Sequence, residues 1–126
     1  MNEQETRTNL ILPAIQQAGW GTEGSLIREE YPITKGRLVG GGKRSMPDKA
    51  DYVLQYRNRN LAVIEAKADI KHYTEGVAQA KDYAERLQVR YTYSTNGLQI
   101  YGIDMQKASE GDVSTYPTPE KLWEMT

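Results

Sequence analysis

The sequence predicts an α/β (α+β) fold, a mixed sheet flanked by helices, on three observations. Apolar residues at helical spacing open the chain, β-rich runs separated by turn residues fill its middle, and a helix-forming stretch divides those runs from two more strands. Helix, three or more strands, helix, two strands is an order that packs as a sheet with helices laid against it.

From about Glu3 to Ala18, Leu10, Ile11, Ala14, Ile15 and Ala18 recur at helical spacing, and "AGWG" ends the pattern with glycines suited to a C-cap. Pro13 removes one backbone donor and is expected to bend that helix. "SLIREEYPI" reads as a strand closed by Pro32. "TKGRLVGGGKRSMPDK" reads as a loop, with a short strand at Arg37 to Val39, and it carries the obvious basic patch of the chain. "DYVLQY" and "LAVIEAK", separated by "RNRN", have the pattern of an antiparallel hairpin. Thr74 to about Leu87 reads as a helix with Val77, Ala80, Ala84 and Leu87 on one face. "VRYTYST", a turn at Asn96-Gly97 and "LQIYGID" form a second hairpin. The tail is polar and Pro-containing until Leu122 and Trp123. Residues 1–116 are therefore expected to form the domain, and 117–126 the start of a linker.

Composition excludes several chemistries. The 126 residues suit one domain. The chain has no Cys, so disulfides, thiolate nucleophiles and Cys-ligated zinc are ruled out. His72, the single His, lacks a His or Cys partner for a metal and reads as a surface residue. No apolar run approaches the length of a membrane span, and "MNEQETRTNL" lacks the build of a signal peptide, so a cytoplasmic location without membrane contact is expected. A net charge of −1 provides no global field for nucleic acid, so any grip on a phosphate backbone must come from local clusters or neighbouring domains. "GGGKRS" fails as a phosphate-binding loop. Arg37 stands where its first Gly belongs and Arg44 where its Ser or Thr belongs, so no ATP site is expected within this stretch.

The residues with chemistry sit in "AVIEAKADIKHY". Side chains alternate along a strand, so Leu61, Val63, Glu65 and Lys67 share one face. If the hairpin closes through Arg57, Asn58 and Arg59, Tyr56 pairs with Asn60 and Asp51 falls opposite Glu65. A two-residue turn at Asn58 and Arg59 would oppose Asp51 to Ala66 instead. Two facing carboxylates repel unless a cation lies between them or one takes up a proton. A hard divalent ion with oxygen ligands resolves this, and Mg²⁺ commonly takes one or two carboxylates. Lys67 beside it can orient a water and meet a scissile phosphate. An isolated E-x-K is commonly only a solvated strand face; the acid opening the preceding strand is what favours a site. Asp69 and Lys71 read as a solvated strand exit.

"ADYVL", "LAVIEAKA", "QAKDYAE", "TYSTNG" and "YPTPEKL", in this order and spacing, resemble the N-terminal nuclease region of the motor (R) subunit of type I restriction enzymes, a member of the PD-(D/E)XK nuclease superfamily. The resemblance implies a restriction-endonuclease-like sheet and a metal-dependent cut of double-stranded DNA. In that reading Asp51 and Glu65 bind Mg²⁺, for which Mn²⁺ can substitute, and Lys67 is the catalytic lysine. By the same analogy the Ala66 carbonyl is a further metal ligand and Glu5 an additional first-helix acid, with Glu3 a competing choice. Gln79 and Tyr83 match a supporting Q-x-x-x-Y element. Pro47-Asp48 lies outside the strand and is a decoy. Lys35, Arg37, Lys43, Arg44 and Lys49 lie just upstream of the site and can grip phosphates. The implied partners are DNA and the modification and specificity subunits, with ATP-driven translocation in domains beyond this stretch. Two alternatives stay open: a stand-alone nuclease of the same superfamily, of resolvase or repair type, and a catalytically silent docking module.

Overall fold

The opening helical rod begins with a reciprocal cap: Asn2 Oδ1 accepts from Glu5 N–H and Glu5 Oε1 accepts from Asn2 N–H. In this computed structural model, which describes residues 1–33, 38–39, 43–44 and 48–126, helix α1 (Glu3–Thr6) runs through a π-helical turn (Arg7–Ile11) into α2 (Leu12–Gln17). Pro13 does not break the rod. It lies in the first turn of α2, and the turn ahead of it is widened so that Leu12 N–H reaches Arg7 O.

Strands β1 (Ser25–Pro32), β4 (Lys49–Tyr56), β5 (Arg59–Ala66), β6 (Tyr91–Thr95), β7 (Ile100–Asp104) and β8 (Ser109–Val113) form one six-stranded mixed sheet in the order β1-β4-β5-β6-β7-β8. All neighbours are antiparallel except β5 and β6, which run parallel with α3 (Val77–Leu87) as the crossover between them. A separate pair, β2 (Leu38–Val39) and β3 (Lys43–Arg44), lies within the basic segment. Lys35 and Arg37 fall outside the described residues, and for Lys43 and Arg44 the description stops at this backbone pairing.

The main core lies between the sheet and the helices of one face. Ile11, Ile15, Trp20 and Leu122 are fully enclosed with Tyr52, Leu54, Ile64 and Ala66. Each large apolar side chain buried this way stabilises the fold by roughly 1.5–3 kcal/mol. On the opposite face α3 sets Tyr83 against Ala50, Val53 and Val63. The helix starts later than the expected Thr74, with Gly76 as its N-cap, and stops where Gln88 turns left-handed at φ 58°.

Two expectations about the tail and sheet edge are corrected. Residues 117–126 were expected to begin a linker, but Thr118 caps α4 (Pro119–Met125), Leu122 is buried, and Trp123 meets the Tyr56 ring edge-on at 5.7 Å. Trp20 Nε1–H also donates to Pro117 O at 2.9 Å. The second correction is β8, the polar edge strand "SEGDV", which apolar periodicity could not reveal because none of its side chains is buried.

Candidate active site

The hairpin that brings the acids together closes by a different route from the expected three-residue loop. Arg57 and Asn58 form a two-residue turn with φ of 51° and 66°, and Tyr56 pairs with Arg59. The register then shifts between Leu54 and Gln55, where Leu61 is the extra residue of a β-bulge; beyond it Leu54 pairs with Ala62, Val53 with Val63 and Tyr52 with Ile64. Continued one step, this register sets Asp51 opposite Glu65. The same bulge removes Leu61 from the face of Val63 and sends it to the main core.

At that point the two carboxylates complete the ladder themselves. Asp51 N–H donates to Glu65 Oε2 at 2.8 Å, and Ala66 N–H donates to Asp51 Oδ2 at 2.8 Å. Asp51 Oδ1 and Glu65 Oε1 are not engaged in these bonds. Glu65 is only 2% exposed. Burial, with the Asp51 charge next, pushes its carboxyl from 4.5 up to about 8, despite relief from the Asp51 amide and Lys67. Burial also raises Asp51, against the opposing effects of the Ala66 amide and Arg7. These are two carboxylates held where each costs energy to ionise beside the other, which is the electrostatic demand that a cation relieves.

Lys67 is half-buried just past β5, its backbone tied by Lys67 N–H to Thr95 O at 2.9 Å. Gly76 lies directly over this place. A Cβ there would stand 2.9 Å from Ser94 Oγ, 3.3 Å from Glu65 Cβ and 3.6 Å from Lys67 Cε, so the start of α3 can approach the acids only as glycine. Ser94, paired with Glu65 across β5 and β6, accepts from Gly76 N–H and donates to Tyr73 O. Gln79 and Tyr83 share a helix face as expected: Gln79 Nε2–H donates to Tyr83 Oη at 2.7 Å. Burial raises the Tyr83 hydroxyl, and the Glu65 charge adds to it, placing Tyr83 within electrostatic reach of the acids.

The first helix contributes differently from the expectation. The Glu5 carboxylate is engaged in the N-terminal cap, whereas the charge of Glu3 is felt by both Asp51 and Glu65. Asp48, the decoy acid, is held by Arg86 Nη1 at 2.7 Å. Lys49 is exposed at the start of β4, and His72 is exposed and stacked on Tyr73. Asp69 is not a simple solvated exit, since Asp69 N–H donates to Thr6 Oγ1 at 3.1 Å. No cluster of three or more His, Cys, Asp or Glu side chains poised for a metal occurs among the described residues.

Sequence reasoning missed Arg7. It is 5% exposed, bonds Glu30 at 2.6 Å and the Tyr52 hydroxyl at 3.3 Å, and lies 3.7 Å from Asp51 Oδ1. Glu30 reaches it from a left-handed backbone, φ 52°. The available signal was a charged residue one helical turn before Ile11 and two before Ile15, on the stripe that had to be buried.

Comparison with known proteins places this chain and its mixed sheet among restriction-enzyme subunits. A fragment assigned to the HsdR subunit of a type I restriction enzyme from Vibrio vulnificus YJ016 superposes with a TM-score of 0.92 at 36% identity, covering 98% of this chain and 25% of that one. The type I restriction enzyme EcoAI endonuclease subunit of Escherichia coli is 33% identical over 135 residues, covering 98% of this chain and 16% of that subunit. The family model described as type I restriction enzyme R protein N terminus matches residues 2–117, and the chain belongs to that family. It spans a minor part of both relatives. No helix among the described residues is long and apolar enough to cross a membrane.

Proposed function

We propose that this chain is the nuclease part of a type I restriction R subunit, a PD-(D/E)XK-type domain that hydrolyses phosphodiester bonds of double-stranded DNA with Mg²⁺. The observation that carries the reading is the interlocked pair Asp51 and Glu65, each carboxylate bonded to a backbone amide of the neighbouring strand, with Lys67 two residues beyond Glu65. The donor set fits a hard divalent ion: two carboxylates with an oxygen apiece outside those bonds, and the Ala66 carbonyl next to them. Fewer protein ligands than a calcium cage suit Mg²⁺, which keeps waters and substrate oxygens. When bound, the ion supplies a lowered water pKa and charge stabilisation at a phosphoryl oxygen.

The chain's own residues do the rest. The amides of Asp51 and Ala66 fix the two carboxylates before any ligand arrives, so little reorganisation is needed on binding. Lys67 meets the scissile phosphate and orients the attacking water. Tyr83, fixed by Gln79, walls the acids from the α3 side. Glu3 is the first-helix acid of the site in place of Glu5. Lys43, Arg44 and Lys49 add phosphate contacts. DNA and the modification and specificity subunits are the partners, in the cytoplasm, with ATP used by other parts of the subunit.

In the assembled enzyme, Glu65→Ala or Lys67→Ala is expected to abolish cleavage while DNA binding and ATP hydrolysis persist. Unchanged cleavage overturns the proposal.

A further inference from the structure

Ser94 and Thr95 end β6 and Asn96 follows them, and each of the three bonds to the segment from Lys67 to Gly76 that leads from β5 into α3. Thr95 O accepts from Lys67 N–H at 2.9 Å, and Asn96 Nδ2–H donates to Lys71 O at 2.8 Å. Ser94 Oγ donates to Tyr73 O at 2.6 Å and accepts from Gly76 N–H at 3.1 Å. The segment that carries the lysine is therefore hung on three consecutive residues.

Ser94 holds the part of it nearest the acids. This serine is fully buried and pairs with Glu65 in the parallel register, and its two bonds fix the turn between Tyr73 and Gly76. Gly76 in turn walls the lysine: a Cβ built on it would lie 3.6 Å from Lys67 Cε and 3.3 Å from Glu65 Cβ. The Lys67 charge acts on Glu65, so the ammonium on this confined stem lies within electrostatic reach of the acids. A lysine needs such a wall. Its charge sits on a flexible four-carbon stem, and displacing a catalytic group by about 1 Å can cost about a hundredfold in rate.

Thr92, two residues earlier on the same face of β6, separates this task from ordinary anchoring. It is equally buried, and its hydroxyl lies 3.0 Å from Val63 O and 3.1 Å from Ala80 O, which pins the body of α3 to β5. Thr92 already fastens the helix. Ser94 adds the placement of the backbone over Lys67.

We propose that Ser94 is a positioning residue for Lys67: through Tyr73 and Gly76 it holds the backbone against the lysine stem and so sets where the ammonium stands relative to Asp51 and Glu65. That role presupposes the nuclease reading above. Removing the Ser94 hydroxyl leaves the two acids and the amides that bond them in place and loosens only the wall.

The test compares Ser94→Ala with Thr92→Val in the complete restriction complex, measuring cleavage rate against DNA concentration, ATP hydrolysis and the thermal midpoint. Each substitution deletes a buried hydroxyl, so each is expected to lower the midpoint by a similar amount. Ser94→Ala should also lower the cleavage rate at saturating DNA by about ten- to a hundredfold, with KM for DNA and ATP hydrolysis unchanged, while Thr92→Val cleaves as the wild type does. A wild-type rate for Ser94→Ala overturns the positioning role. So does an equal loss in both variants, or a raised KM, either of which makes Ser94 a structural anchor only. If Ser94→Ala fails to assemble, Gly76→Ala puts the same question from the other side, because its methyl meets Lys67 Cε and Ser94 Oγ. It should lose rate at unchanged KM, and a wild-type rate overturns the role. Lys67→Ala is run alongside: if that variant cleaves normally, it is the nuclease reading that fails.

Discussion

Replacing Glu65 by Gln should make the metal-free domain more stable at alkaline pH. The side chain is 2% exposed and its carboxyl is raised from 4.5 to about 8, first by burial and next by the Asp51 charge. Between those values the native state holds a proton that the unfolded chain has released, so stability falls as the pH rises through that window. At ~1.4 kcal/mol for each pH unit, the ceiling is about 5 kcal/mol at pH 8. Side-chain relaxation and water entry reduce this to about 2–3 kcal/mol. Gln keeps an oxygen that can accept from the Asp51 amide and carries no charge. Urea unfolding in EDTA at pH 5 and pH 8 measures the effect: the wild type should lose stability between the two, while Glu65→Gln should show a much flatter profile. Parallel profiles would refute the account, because the cost would then not reside in this carboxylate.

Arg7→Met should destabilise the domain by about 2–4 kcal/mol in a urea titration, since it removes a buried cation from Glu30, Tyr52 and Asp51. Gly97→Ala should cost about 1–3 kcal/mol, seen as a lower thermal midpoint, because the added methyl meets Leu10 and Thr6 in a left-handed backbone. Asp104 is held down to about 2 from 3.8 by the Arg90 guanidinium. The stability it contributes is present above pH 3.8 and is lost as the pH falls through about 2, so Asp104→Asn should flatten an acid-unfolding curve in that range.

Much of the site was legible because strand alternation is a strong signal. "DYVLQY" and "LAVIEAK" place Asp51 and Glu65 near one another under any short loop of suitable parity, and i, i+4 spacing set Gln79 beside Tyr83. The route to the pairing was not legible, since a bulge at Leu61 leaves no mark in composition. Glu5 has a local use that the sequence already carried. Asn2 followed three residues later by Glu5 is itself the pattern of a capping box, and that use occupies the carboxylate, leaving Glu3 as the acid felt at the site. Thr118 before Pro119 carried a helix-start signal that was outweighed by the polarity of the tail.

The bulge at Leu61 acts as a parity counter for the hairpin. Without it the ladder begun by Tyr56 and Arg59 would run on to oppose Asp51 with Ile64, and one acid would face the wrong side of the sheet. Leaving Leu61 out of the pairing therefore lets an ordinary two-residue turn set acids from two strands face to face. Because the offset is made partway along the strands, the tip at Arg57 and Asn58 can exchange side chains freely, provided the turn keeps its length. Deleting Leu61 would leave a regular ladder that still opposes Asp51 with Glu65, whereas drawing Leu61 into the pairing would separate them.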